Sequence, residues 1–432
     1  MRPFKFAARS ALTTFFALAL LACTSLPRDV TNAAGAPPPQ VLLVSLDGFR
    51  PDYLELGITP NLKRIGEQGV QAEWMTPSYP SLTFPNHFTI VTGKRPDHHG
   101  IVHNSMRDAE LGNFSLGNRE AVSDGRWWDS EPIWVTVEKA GLRAGTMFWP
   151  GSEAAIGGIQ ASHWKPFDAK MPMADRVDTV LAWLAEPEAA RPRFSTLYFE
   201  AVDSAAHANG PDSEEAYAAI RDVDAALGRL LDGIDALDLA EEINVVVVSD
   251  HGMATVTPDQ FVVIEDMVDP ADAEFVTAGQ SVGFVPRPGR LAAAEAQLLG
   301  AHKHYDCWRK GELPERWQYG THPRVPSIVC QMHEGYDALR RSWLETRSKT
   351  TNRGSHGFDP ALPSMRAIFL ARGPAFRENA RIPAFDNIDV YPLLMSILEV
   401  EPAANDGGDG GDGGDGAMES LKPGARRAAG AP

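Results

Sequence analysis

Five short segments of this 432-residue chain carry side chains able to ligate metal ions. Asp47, Thr83, Asp203 and Asp250 bring carboxylate or hydroxyl oxygens, and His207, His251 and His356 bring imidazoles. Seven such donors suit two transition-metal ions side by side better than one. A hydroxyl beside a metal pair is equipment for phosphoryl transfer, because cations balance the phosphate charge and favour an alkoxide nucleophile. Taken singly, each residue has an ordinary reading: Thr83 as a helix N-cap, an acid after a strand as a turn former. The combination is what counts. Asp203 is followed four residues on by His207, and Asp250 immediately by His251.

The elements that must position them are legible as apolar runs. Val41–Leu46, Phe194–Glu200 and Ile243–Ser249 are continuous runs of strand length, as expected for strands covered on both faces. Arg366–Ala371 and Ala144–Phe148 make two more. Between them, helical patterns cover Pro132–Ala140, Ala174–Leu184 and Ser213–Leu237, and Ile388–Leu398 closes the folded part. Strands alternating with helices predict an α/β fold with a mostly parallel sheet flanked by helices on both faces. Ligands of such sheets bind beyond the carboxyl ends of the strands, and Asp47, Asp203 and Asp250 all fall there. Pro85 in a first turn places Thr83 at a helix N-terminus, where backbone N–H groups favour phosphate oxygens. Residues 252–355 hold no strong motif and read as an insertion beside the sheet. Within it, His302 and His304 alternate, as on a solvated strand face.

Arg2, Lys5 and Arg9 followed by the apolar run Thr14–Leu21 predict a signal peptide over residues 1–22, too short to span a bilayer. Leu20-Leu21-Ala22-Cys23 resembles a bacterial lipoprotein processing site; an ordinary cleaved signal with an incidental cysteine is the alternative. The expectation is an exported chain, periplasmic or anchored to the outer membrane of a Gram-negative-type cell through acylated Cys23. The other two cysteines, Cys307 and Cys330, favour a disulfide in an exported chain, with a buried thiol pair as the alternative. The formal charge is −17. Loss of residues 1–22 removes three cations and no acid, giving −20. Such a chain has no basic stripe for tracking a nucleic-acid polymer. Residues 403–432, with their Gly-Gly-Asp repeat, read as a disordered tail, leaving 38–402 as the catalytic domain.

The stretches Val44–Arg50, Pro80–His87, His99–Asn104, Asp203–His207, Ser249–Met253 and His356-Gly357 together resemble the nucleotide pyrophosphatase/phosphodiesterases of the alkaline phosphatase superfamily, in a bacterial type without the extra terminal domains of animal members. They run in family order through nearly the whole mature chain. The resemblance implies an alkaline-phosphatase-like fold and two zinc ions, one held by Asp47, Thr83, Asp250 and His251, the other by Asp203, His207 and His356. It also implies Thr83 as nucleophile, a threonyl-nucleotidyl intermediate, and Asn104 donating to a non-bridging phosphate oxygen. Read alone, Asn104 is a loop-turn residue. Phe84 and Tyr198 would flank a nucleobase, making nucleotide phosphodiesters or pyrophosphates the substrates; Phe167 and Leu116 are either further pocket residues or core. Ala206 departs from the glycine usual before the histidine, and removes no ligand.

Other activities of the same superfamily compete. A sulfatase needs a Cys/Ser-x-Pro-x-Arg setting, which Thr83-Phe84-Pro85-Asn86 does not supply. A phosphonate hydrolase or a phospholipid-head-group phosphodiesterase stands as the alternative, and a non-catalytic zinc-binding surface protein as a remoter one.

Overall fold

The computed structural model describes Met1, residues 39–408 and residues 417–422. The expected signal segment and Cys23 lie outside the described residues. Among those described, no helix is long and apolar enough to cross a membrane.

An eight-stranded sheet organises the chain: β1 (Gln40–Leu46), β2 (Val70–Ala72), β3 (Ala144–Met147), β4 (His163–Lys165), β5 (Phe194–Phe199), β6 (Ile243–Val248), β7 (Phe369–Arg372) and β8 (Ala380–Ile382). Their spatial order is β8-β2-β7-β6-β1-β5-β3-β4. The run β6-β1-β5-β3-β4 is parallel throughout. β7 joins it antiparallel, pairing with β6 and β2, so the sheet is mixed at one side.

The apolar runs are continuous because both faces are covered. Along β1, Val41 and Leu43 pack with Phe88, Val91 and Leu394, whereas Leu42, Val44 and Leu46 pack on the other face with Val180, Ile220 and Leu227. Residues of β6 divide in the same way, Val246 and Val248 against Val245 and Val247. Helices α1 (Thr83–Thr92) and α5 (Val390–Leu398) serve the first face; α2 (Met173–Leu184) and α4 (Glu214–Ala236) serve the second. Helix α3 (Ala201–Asn209) lies between α2 and α4 in sequence and carries Asp203 and His207. Ser213 caps α4, its hydroxyl accepting from the Ala216 N–H at 3.1 Å.

The 252–355 stretch folds beside the sheet. Five of its strands form a separate antiparallel sheet, ordered Ala273–Phe275, Ser281–Pro286, Ile328–Met332, Tyr305–Arg309, Gly300–Ala301. Ala254–Val256 pairs antiparallel with Arg353–Ser355, so the chain returns to its point of departure. His302 stacks on Tyr305 and His304 on Tyr336, and neither joins a metal-ligating cluster among the described residues. Cys307 and Cys330 are direct cross-strand partners, their Cα atoms 4.0 Å apart, and are disulfide-bonded. Thiol titration of the unfolded, unreduced protein should therefore find neither cysteine reactive. Reducing the bond should lower stability by about 3 kcal/mol on loop entropy. Two reactive thiols besides Cys23 would contradict it.

The tail is not disordered throughout. Asp406 accepts from the Arg95 N–H at 2.8 Å, and the Arg377 N–H donates to the Ser420 carbonyl at 3.0 Å. Ala417 and Leu421 are buried, Leu421 bridging to Phe376. Apolar residues flanking the repeat find a surface to cover, which the repeat's composition conceals. Residues 409–416 lie outside the described residues.

Candidate functional site

Strands β6, β1 and β5 are adjacent and parallel, with Ser45 of β1 level with Val248 and Tyr198. Their carboxyl ends therefore deliver Asp47, Asp250-His251 and helix α3 to one rim. On α3, Asp203 and His207 are one turn apart and share a face. Helix α1 brings Thr83 as its first residue. The N-cap is Leu82, without a side-chain cap bond, so the Thr83 hydroxyl is not spent on capping. Its Oγ1 lies 3.3 Å from His251 Nε2. The pairing of Arg353–Ser355 with Ala254–Val256 carries His356 back to the same place.

Two ligand clusters result: Asp47, Asp250 and His251, fully buried, and Asp203, His207 and His356, partly open. They adjoin, the His251 and His356 rings stacking at 3.6 Å between centroids. Gly48 makes the approach feasible. Its φ is +68°, and a Cβ there would meet Asp203 Oδ1 at 3.2 Å. Ala206 is buried beside Ala216 and Met253, so its methyl group fills a small apolar contact.

The donors fit divalent cations on their own evidence. Asp47 Oδ1 and Asp203 Oδ1 are buried without a hydrogen-bond partner, and Asp250 Oδ2 meets the nitrogens of His251 at 3.0 Å and His87 at 3.2 Å. Each histidine has its Nδ1 on a backbone carbonyl, of Gly354, Gly252 and Ser81 respectively, at 2.9, 2.9 and 3.0 Å. That bond makes each Nδ1 the donor and turns every Nε2 inward, as in metal-ligating imidazoles. The charges show the same need. Burial, then the Asp250 and Asp203 charges, raise the Asp47 carboxyl well above its usual range. Burial, then His251 and His207, hold His356 well below its usual value and hence neutral. Against burial, His251 and His87 hold Asp250 ionised. Three crowded carboxylates with inward lone pairs call for positive charge between them.

Asn104 accepts at its Oδ1 from the Phe84 N–H at 2.9 Å, which orients the amide and leaves Nδ2 out of that bond. Beside Thr83 opens a cavity of about 230 Å³ that reaches Asp47 and Asp203 and is walled by Phe84, Leu116, Phe167 and Tyr198. Phe84 is buried, whereas Phe167 and Leu116 are 37% and 48% exposed. Tyr198 has a second attachment: its hydroxyl donates to Asp47 Oδ2 at 2.6 Å. Sequence reasoning missed Arg119 and Glu153, which also line the cavity, and His87, whose Nε2 pairs with the Ser45 hydroxyl at 2.8 Å. His87 stood inside a recognised motif. Arg119 and Glu153 carried no local signal.

A sequence model described as "Type I phosphodiesterase / nucleotide pyrophosphatase" matches residues 41–359. Ectonucleotide pyrophosphatase/phosphodiesterase family member 3 of Rattus norvegicus is 35% identical over 383 residues, covering 85% of this chain and 43% of that protein. A venom phosphodiesterase of Naja atra is 35% identical over 382 residues, covering 85% and 45%. The chain thus spans less than half the length of these curated relatives. Among solved structures, murine ectonucleotide pyrophosphatase/phosphodiesterase 5, in an inactive threonine-to-alanine form in complex with AMP, superposes with a TM-score of 0.82 at 32% identity. That match covers 89% of this chain and 100% of that one.

Proposed function

Because this chain belongs to the type I phosphodiesterase/nucleotide pyrophosphatase family, we propose that it hydrolyses nucleotide phosphodiester and pyrophosphate bonds to nucleoside 5′-monophosphates. One observation carries the reading. An uncapped threonine hydroxyl at a helix N-terminus faces two adjoining ligand clusters and opens onto an aromatic-walled cavity.

Asp47, Thr83, Asp250 and His251 would hold one zinc ion, and Asp203, His207 and His356 the other. Bound there, the ions would supply Lewis-acid stabilisation of phosphate charge and favour ionised hydroxyl groups. Thr83 Oγ1 gives up its proton to solvent and attacks phosphorus in line; its bond to phosphorus forms as the bond to the leaving oxygen breaks, giving a threonyl phosphoester. Water then attacks from the vacated side, its oxygen bonds phosphorus, and Thr83 departs and regains a proton. Two inversions give net retention. The α1 N-terminus and Asn104 Nδ2 donate to non-bridging oxygens, and one preorganised donor of this kind is worth about 10²–10³ in rate.

The nucleoside occupies the aromatic cavity, its base flanked by Phe84 and Tyr198, with Phe167 as a further stacking surface and Leu116 at the rim. Tyr198 borders the slot and steadies Asp47 through its hydroxyl. The murine relative's complex with AMP supports a nucleoside monophosphate as the retained part. Export by residues 1–22, with lipid attachment at Cys23, belongs to the same proposal and rests on the basic, apolar and cysteine layout of those residues.

Incubation with ATP should release AMP and pyrophosphate, because the recognised end is the nucleoside and attack falls on its attached phosphorus. ADP and orthophosphate in their place would identify a terminal monoesterase and overturn the reading.

A further inference from the structure

We propose that Glu153 is a positioning residue for nucleoside recognition, pinning the segment that carries Phe167 to the opposite wall of the cavity. The inference rests on the nucleotide reading above and concerns how this chain builds that slot.

Phe167 sits on the irregular connection between β4 and α2, with no strand or helix to fix it. Its ring is 37% exposed and touches other rings only at their edges, Phe148 at 5.3 Å and Tyr198 at 6.1 Å. Fixing a residue's backbone costs conformational entropy, so a stacking surface on such a connection needs a tether. Glu153 supplies it. The carboxylate follows β3 in the turn Trp149–Glu153, and its Oε1 accepts from the Phe167 N–H at 3.1 Å. The same oxygen is paired with Arg119 Nη2. Arg119 opens the short helix Arg119–Ser123, three residues beyond Leu116, so the contact joins the two sides of the cavity.

The weight falls on the bond to Phe167. Glu153 is 14% exposed and its acceptor is charged, which strengthens a hydrogen bond from backbone N–H. Arg119 is 45% exposed, and such an ion pair contributes little energy by itself. Its task is to keep the carboxylate turned towards Phe167. Neither residue touches Thr83 or a metal-ligating side chain in any hydrogen bond or ion pair among the described residues, so their loss should be felt by the base alone.

The test compares a nucleoside 5′-(p-nitrophenyl) phosphate with methyl p-nitrophenyl phosphate, which has the same leaving group and neither a base nor any retained ring, in Glu153→Ala, Glu153→Gln, Arg119→Ala and Phe167→Ala. Stacking on one ring is worth about 1–3 kcal/mol, so Phe167→Ala should raise KM for the nucleoside ester about tenfold or more. Glu153→Ala should approach that rise, with kcat retained and the base-free ester nearly unaffected. Glu153→Gln should recover most of the loss, since its amide oxygen still accepts from the Phe167 N–H. Arg119→Ala should fall between. If Phe167→Ala raises the nucleoside KM and Glu153→Ala does not, the tether is refuted and the slot survives. Equal losses on both esters in Glu153→Ala would show a general structural role and refute it too. If Phe167→Ala moves neither ester, the base slot fails and the tether with it.

Discussion

Thr83→Ala should reduce turnover of a nucleotide diester by at least about 10³-fold, since removal of a nucleophile leaves only binding and electrostatic stabilisation. The structure makes this variant unusually clean. Leu82, not Thr83, is the N-cap of α1, and no cap bond is lost on truncation. The three carboxylates and three imidazoles keep their places, so folding and most metal affinity should survive. Thermal midpoint and metal content should both stay near those of the parent protein. Thr83→Ser, which keeps the hydroxyl, should retain much more activity. Near-normal turnover in the alanine variant would show that water or another group attacks phosphorus.

Metal removal should be as severe. A chelator is expected to abolish hydrolysis, and zinc to restore it at two equivalents per chain, the number of clusters among the described residues. Stability offers an independent readout. Without cations, Asp47 Oδ1 and Asp203 Oδ1 are buried with no hydrogen bond, and Asp47 is pushed towards protonation first by burial and then by its neighbours. An ion that binds only the folded state raises the unfolding midpoint with its concentration, so the midpoint should fall on chelation. Tyr198→Phe removes the 2.6 Å bond to Asp47 and should weaken zinc retention while leaving the ring in the cavity. Hydrogen bonds that hold a metal-ligating side chain in place are typically worth about 10–100-fold in metal affinity or activity. A fully active metal-free preparation would dispose of the mechanism, and unchanged zinc affinity in the Tyr198 variant would dispose of its supporting role.

The central elements were legible because their physics is local. A strand covered on both faces must be apolar at every position, and Leu42–Leu46 and Ile243–Val248 announce themselves without reference to the rest of the chain. Helix α4 declares its start through Ser213 and its buried face through Ile220, Leu227 and Leu231. The antiparallel direction of β7 was hidden, since a run of apolar residues has no polarity. The folded stretch around Leu421 was hidden too, behind a repeat whose composition argues for solvation.

What the sequence determined by itself was the inventory: seven donors in five segments, most of them just after a strand or at a helix start, and a threonine opening a helix whose first turn holds a proline. Spacing of four residues put Asp203 with His207 on one helical face before any fold was known, and Asp250 stood next to His251 in the chain. Only the tertiary structure decided what these groups do to one another. Level ends of three parallel strands turn acids about 200 residues apart in the chain into neighbours, Gly48 N–H donating to Asp250 at 3.2 Å. The strand pairing of the insertion returns His356 to His251. Tyr198 meets Asp47 across the register of two strands distant in sequence, and Glu153 meets Phe167 through a bond set by loop geometry, where no periodicity exists to be read. A hydrogen bond between irregular segments leaves no mark on either segment's composition, so the walls of the cavity had to be seen in three dimensions.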